Sequence, residues 1–146
     1  MLTNITLNKK IYDYNPGLYK IQSQIMDLFN VDDLQEIHNL RPDLMPGGDF
    51  YKNHTLSNDV DMSFHKIFYK KMNSPWVDFL DEYEKFIFEN VPQIIGESFL
   101  YQKTPSFRIH LPGMMAVSEY HCDTDENYNH PIGEINFIIP LTDMWD

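Results

Sequence analysis

Apolar residues in the first third of the chain recur at the spacing of one helical face. In LYKIQSQIMDLF the positions Leu18, Ile21, Ile25, Leu28 and Phe29 predict a short amphipathic helix. A second turn of helix, capped by Asn30 or Asp32, is expected through Leu34, Ile37 and Leu40, with Pro42 as its stop. The run RPDLMPGGDFYKNHTLSN, with two prolines and the Gly47-Gly48 pair, reads as irregular loop. Helical texture returns from about 59 to 72. It returns again after Ser74-Pro75, where serine is placed to cap and proline to occupy the first helical position. The stripe Trp76, Phe79, Leu80, Tyr83 and Ile87 marks this last helix as scaffold packed on a neighbouring layer.

Beyond Gly96 the period changes. Short runs rich in Phe, Ile, Tyr and Val are punctuated by Pro105, Pro112-Gly113 and Pro131-Ile132-Gly133. Four strands are predicted, at 99–102, 107–111, 115–121 and 134–141, with the turn spacing of a sandwich or barrel. The fold class expected is therefore α+β, with a helical flank over 1–98 and a β core over 99–146 forming one domain. A jelly roll uses about eight strands, so the sheet is expected to be incomplete. With Trp145 one residue from the end, the chain reads as the N-terminal portion of a longer core.

Composition narrows the functional classes. The chain has 146 residues, 42% of them apolar and 14% aromatic, enough for a core of its own. Eleven Lys and Arg against 22 Asp and Glu leave a formal charge of -11, which repels phosphate backbones and anionic lipid. Nucleic acid and membrane surfaces are thus not the expected partners; a small-molecule substrate is. Cys122 has no second cysteine to pair with, and the first residues lack an export signal, so a cytoplasmic location is expected. No apolar run approaches the roughly 20 residues of a membrane helix. The two arginines, Arg41 and Arg108, are the candidates within the chain for a bidentate grip on a carboxylate.

The candidate chemistry lies in HCDTDENYNHPIGEINFIIPLT. On an extended backbone Glu119, His121, Asp123 and Asp125 fall on one face, with Tyr120, Cys122 and Thr124 on the other. His121 and Asp123 can then meet one ion, as two thirds of the facial triad of two histidines and one carboxylate that holds non-haem ferrous iron. The third ligand must come from elsewhere. The alternative is a solvated acidic turn between strands. Six histidines and 14 aspartates in this length give roughly 0.6 chance occurrences of His-x-Asp, so the spacing alone decides nothing and its setting must.

In FRIHL, Arg108 and His110 share a polar face opposite Phe107 and Ile109, and the polar face meets either solvent or a site. In GEINFIIPLT, Asn136 is expected as a polar residue turned inward, to be satisfied by a bound oxo-acid or by neighbouring backbone. His130 follows the acidic turn and could approach the same ion, but its place before Pro131, in a loop dense in Asn and Asp, favours a surface role. His38, His54 and His65 carry no sign of a site, and Asp125 and Glu126 are expected to stay solvated.

The run YQKTPSFRIHLPGMMAVSEYHCDTDENYNHPIGEINFIIPLT, through FRIHLPG, His121-x-Asp123 and GEINFIIPLT, resembles the streptomycin-biosynthesis-protein-like family. That family lies within the ferrous iron and 2-oxoglutarate dioxygenase superfamily related to phytanoyl-CoA hydroxylases. The resemblance covers about 99 to 142. It implies a double-stranded β-helix, a jelly roll whose mouth holds Fe(II) through His121, Asp123 and a later histidine, with 2-oxoglutarate as co-substrate and a small metabolite or modified sugar as the molecule hydroxylated. Arg108 and Asn136 would position the co-substrate. The later histidine and the basic residue that grips the far carboxylate would follow Asp146, so the isolated chain is expected to be inactive. Two other readings stand beside this one. One is a cupin-like metal isomerase or epimerase; the other is a non-catalytic half jelly roll completed by a partner chain or a second copy.

Overall fold

The computed structural model describes residues 10–47, 62–74, 76–112, 130–131 and 133–143, and the regular elements among them are helical. A 3-10 turn at Pro16–Leu18 is capped by Asn15, whose side chain accepts a hydrogen bond from the Gly17 N–H at 3.0 Å. Helix α1, Ile21–Phe29, buries Ile21, Ile25 and Phe29, each four residues from the next and so one above another on one face. It ends at Asn30, whose left-handed conformation (φ 54°) is one that asparagine tolerates better than most side chains. Leu18, expected in the same stripe, precedes the helix and is exposed.

Helix α2 is the single turn Ile37–Leu40. Pro42 does not merely stop it but opens a 3-10 turn, Pro42–Leu44, where a fixed φ and a missing N–H cost nothing. Arg41 between them grips Asp43 through two bonds, 2.9 Å from Nε and 2.7 Å from Nη2, and also donates to the Phe29 carbonyl at the end of α1. One guanidinium thus ties the 3-10 turn back to the end of α1, and its bond to the carboxylate holds Asp43 below the usual aspartate pKa.

Helix α3, Ser63–Met72, buries Phe64, His65 and Phe68. Helix α4, Val77–Ile95, buries Phe79, Phe86, Ile87 and Val91. It carries Pro92 in its last turn, where the lost N–H leaves the Phe88 carbonyl without its helical partner. Gly96 at φ 74° closes α4 with a bond from its N–H to the Pro92 carbonyl at 2.9 Å. The core between α1, α3 and α4 is mostly aromatic. Phe68 sits 5.9 Å from Phe79 and 6.1 Å from Trp76 with edge-to-face geometry, and Phe29 meets Phe64 at 5.4 Å.

A second aromatic group lies two turns further along the same face of α4, where Tyr14 and Tyr19 meet Phe86 at 5.1 and 5.2 Å. The Tyr19 hydroxyl, nearly buried, donates to Glu89 at 2.7 Å and accepts from the Asn90 amide at 2.8 Å. Burial first, and then the bond to Glu89, raise the Tyr19 phenol above its ordinary 10.0. The folded state therefore prefers the neutral phenol. This contribution is complete below the unfolded value of 10.0 and is lost as pH rises through the raised folded value. Tyr19→Phe is expected to flatten the alkaline fall in stability, measured by urea denaturation from neutral pH to above 10.0.

Among the described residues there is no β-strand, which overturns the expected α+β class with its jelly-roll sheet. Segments 99–102, 107–111 and 134–141 lack strand assignment, and the segment expected at 115–121 lies outside the described residues. The alternation itself is real in the second of these. Phe107 and Ile109 are half-buried and Leu111 is buried, while Ser106, Arg108 and His110 face solvent. What covers the inward face, however, is helix: Phe107 stacks on Phe68 at 4.7 Å, and its N–H donates to the Tyr69 hydroxyl at 3.1 Å. Period-two burial reports that one face is covered, and a ladder is only one way of covering it. In 134–141 even the faces differ from expectation, because Ile135, Phe137 and Ile138 are all exposed and Asn136 is exposed rather than interior.

Candidate functional site

Two extended segments carry the described candidates. Residues 105–111 lie against α3, with the Phe107 ring held by Phe29, His65 and Phe68. Outward-facing Arg108 and His110 are thereby displayed on a firm backing. Residues 139–141 return to the start of the fold, where the Gln22 amide donates to the Leu141 carbonyl at 2.7 Å and the Tyr14 hydroxyl to the Pro140 carbonyl at 3.5 Å. Arg108 and Asn136 are both exposed and both have interaction partners. His121 and Asp123, with Glu119 and Asp125 beside them, lie outside the described residues.

His130, read from sequence as a surface residue, is indeed exposed, yet its ring is engaged. Its Nδ1 lies 2.7 Å from Glu134 Oε2, across the turn in which the Glu134 N–H donates to the Pro131 carbonyl at 3.2 Å. The sequence carried a hint of this, a histidine and a glutamate four apart around Pro131 and Gly133. His65, passed over in the sequence, is 1% exposed and meets Phe107 edge-on at 5.5 Å. Its place inside the α3 face is what the spacing of Phe64 and Phe68 would have given. Among the described residues, no group of three or more His, Cys, Asp or Glu side chains is placed to hold a metal ion.

A wide groove of about 820 Å³ lies where α1, the end of α3 and the start of α4 meet. Asp27, Asp78, Asp81 and Glu82 line it with Lys20, Lys71 and Trp76, so charges of both signs face each other across water. Lys71 Nζ stands 5.7 Å from the centre of the Trp76 ring. Of the described candidates, neither Arg108 nor Asn136 borders this groove. Among the described residues no helix is long and apolar enough to cross a membrane.

Against known proteins the chain is similar to the streptomycin biosynthesis protein StrG of Streptomyces griseus, with 29% identity over 91 residues. That match covers 60% of this chain and 41% of StrG, well under half of the relative's length. No family model matches the chain, and no solved structure matches it.

Proposed function

We propose that this chain serves in the biosynthesis of a small metabolite, as a ferrous, 2-oxoglutarate-dependent oxygenase that hydroxylates a metabolite or a modified sugar. The pair His121 and Asp123 carries the reading. An imidazole and a carboxylate on alternate residues form a donor set suited to ferrous iron. Similarity to a biosynthesis protein supports the metabolic setting, and the phrases FRIHLPG and GEINFIIPLT on either side of the pair support the co-substrate.

Iron, when bound, would supply the oxygen chemistry, and the chain's own residues would fix and orient the reactants. His121 and Asp123 would hold the ion. Arg108, whose guanidinium can take a carboxylate through two parallel bonds, would engage 2-oxoglutarate from the rigid backing of the Phe107 segment. Asn136 would donate an amide N–H to the same acid, whose carboxylate and keto oxygens only accept.

Anaerobic titration of the 146-residue chain with Fe(II) and then 2-oxoglutarate is expected to raise the weak visible band of the chelate, and His121→Ala or Asp123→Ala to abolish it. Metal binding with no response to 2-oxoglutarate would replace the oxygenase by a cupin-like isomerase. Failure of the unsubstituted chain to bind Fe(II) would end both readings.

A further inference from the structure

We propose that α3 and residues 98–112 form an oxyanion-binding face for a compact dianion, a phosphate monoester or a dicarboxylate. Arg108 and His110 make the direct contacts, and Lys66, Lys70 and Lys103 supply the surrounding field. The face shares Arg108 with the site put forward above, but it needs neither iron nor His121 and Asp123. What carries it is a separation of charge along the fold.

Residues 62–77 and 98–112 hold Lys66, Lys70, Lys71, Lys103 and Arg108, five of the chain's 11 Lys and Arg, and none of its 22 Asp and Glu. In a chain of formal charge -11, cations therefore collect in these two stretches. The stretches also pack on each other. The Phe107 ring stacks on Phe68 at 4.7 Å and meets His65 at 5.5 Å, and the Phe107 N–H donates to the Tyr69 hydroxyl. Lys66 and Lys70, four apart on α3, share an exposed face of the helix next to Tyr69. Lys71 is turned elsewhere, over the Trp76 ring.

Arg108 and His110 alternate with the inward Phe107, Ile109 and Leu111, so both stand on the exposed face of one extended segment, about 6–7 Å apart along the backbone. That span lets a guanidinium fork and an imidazole N–H reach different oxygens of one dianion. Arg108 and Lys66 have interaction partners already, and a guanidinium carries more N–H donors than one carboxylate can use. Beside the Phe107 anchor, Tyr101 donates to Glu84 at 2.9 Å and Tyr83 to the Gln102 carbonyl at 2.8 Å, which ties the segment to α4. A backing already fixed spares a ligand the entropy of ordering its site. The ligand is compact because a long polyanion would overrun the face onto acidic surface, where Asp27, Asp78, Asp81 and Glu82 line the groove at the end of α3.

Calorimetric titration of the full chain, freed of metal by a chelator, takes inorganic phosphate and 2-oxoglutarate as probes. At least one is expected to bind at low ionic strength, and the tighter of the two tells which group the natural ligand offers. Affinity should fall as salt rises toward about 0.15 M, where charges are screened beyond roughly 8 Å. His110→Ala should weaken binding about tenfold, the worth of one hydrogen bond to a charged group. Lys70→Gln and Lys103→Gln should each weaken it about twofold to fivefold, as exposed charges do. Lys70→Arg should keep the parent affinity, and so should Lys85→Gln, whose ammonium lies off this face, 5.3 Å from the centre of the Tyr19 ring. No binding of either probe, or binding indifferent to the His110, Lys70 and Lys103 substitutions, overturns the face. So does tighter binding of an oligodeoxynucleotide than of either probe. If 2-oxoglutarate binds only with Fe(II) and ignores these substitutions, the oxyanion face falls and the oxygenase reading stands. If the dianions bind as expected to a chain that never takes up Fe(II), the reverse holds.

Discussion

Replacing Phe68 by alanine is expected to lower stability by about 3–5 kcal/mol, among the largest effects of truncation at the described residues. Phe68 is 1% exposed and has four aromatic neighbours: Tyr69, Trp76, Phe79 and Phe107. They belong to α3, the start of α4 and the extended segment after it, so no single element can close the void by shifting alone. Where surroundings cannot collapse, the cost of the cavity adds to the lost transfer energy. Since whole domains are held by only about 5–15 kcal/mol, the variant should be on the verge of unfolding. Urea denaturation followed by far-ultraviolet circular dichroism measures this. Phe88→Ala, at a site 58% exposed on the far side of α4, is the comparison and should differ little from the parent. Equal losses for the two would show that Phe68 is not the centre of the core.

The second large effect is expected at Phe107. Its ring stacks on Phe68 with only 15° between the planes, and it also touches Phe29 and His65. Because the ring is half-buried, Phe107→Ala should cost less, about 2 kcal/mol, at the low end for large-to-small core changes. The more telling consequence is local. Residues 105–111 are fastened by this ring and by the bond from the Phe107 N–H to the Tyr69 hydroxyl. Amide exchange across the segment should therefore quicken well beyond the change in global stability. Tyr69→Phe, which removes the acceptor alone, should release the Phe107 amide at a cost of about 1 kcal/mol. If Arg108 handles 2-oxoglutarate, both variants should weaken that binding without touching the residue itself.

The helices were legible because their burial is periodic within one stretch of chain. Ile21, Ile25 and Phe29 in α1, and Phe79 and Ile87 in α4, are buried where the 3.6 period puts them. Phe86, within the α4 stripe but absent from the expected positions, and Val91, one turn beyond its expected end, are buried as well. The strands were misread for a physical reason. Alternation in SFRIHL states that one side is covered, and only the distant residues Phe29, His65 and Phe68 decide that helices cover it. At Ile135, Phe137 and Ile138 apolar character was taken for burial, yet all three are exposed, because β propensity describes a fit to a pleated surface and not the presence of one. The His130–Glu134 contact escaped for a related reason. Spacing permits the pair, but a turn with Gly133 at positive φ is what brings it together.

Leu141 and Pro140 rest against Gln22 and Tyr14, partners separated by 119 and 126 positions along the polypeptide. Bringing ends so distant together costs on the order of 4 kcal/mol in loop entropy if nothing in between has ordered, and much less once α1, α3 and α4 have assembled. Docking of residues 139–141 is thus set to follow the packing of these helices, with their backbone still inside the ribosome while the helices upstream can already pack. During synthesis, Ile135, Phe137 and Ile138 would emerge beside helices already packed, a window in which a chaperone or a neighbouring nascent chain could meet them first.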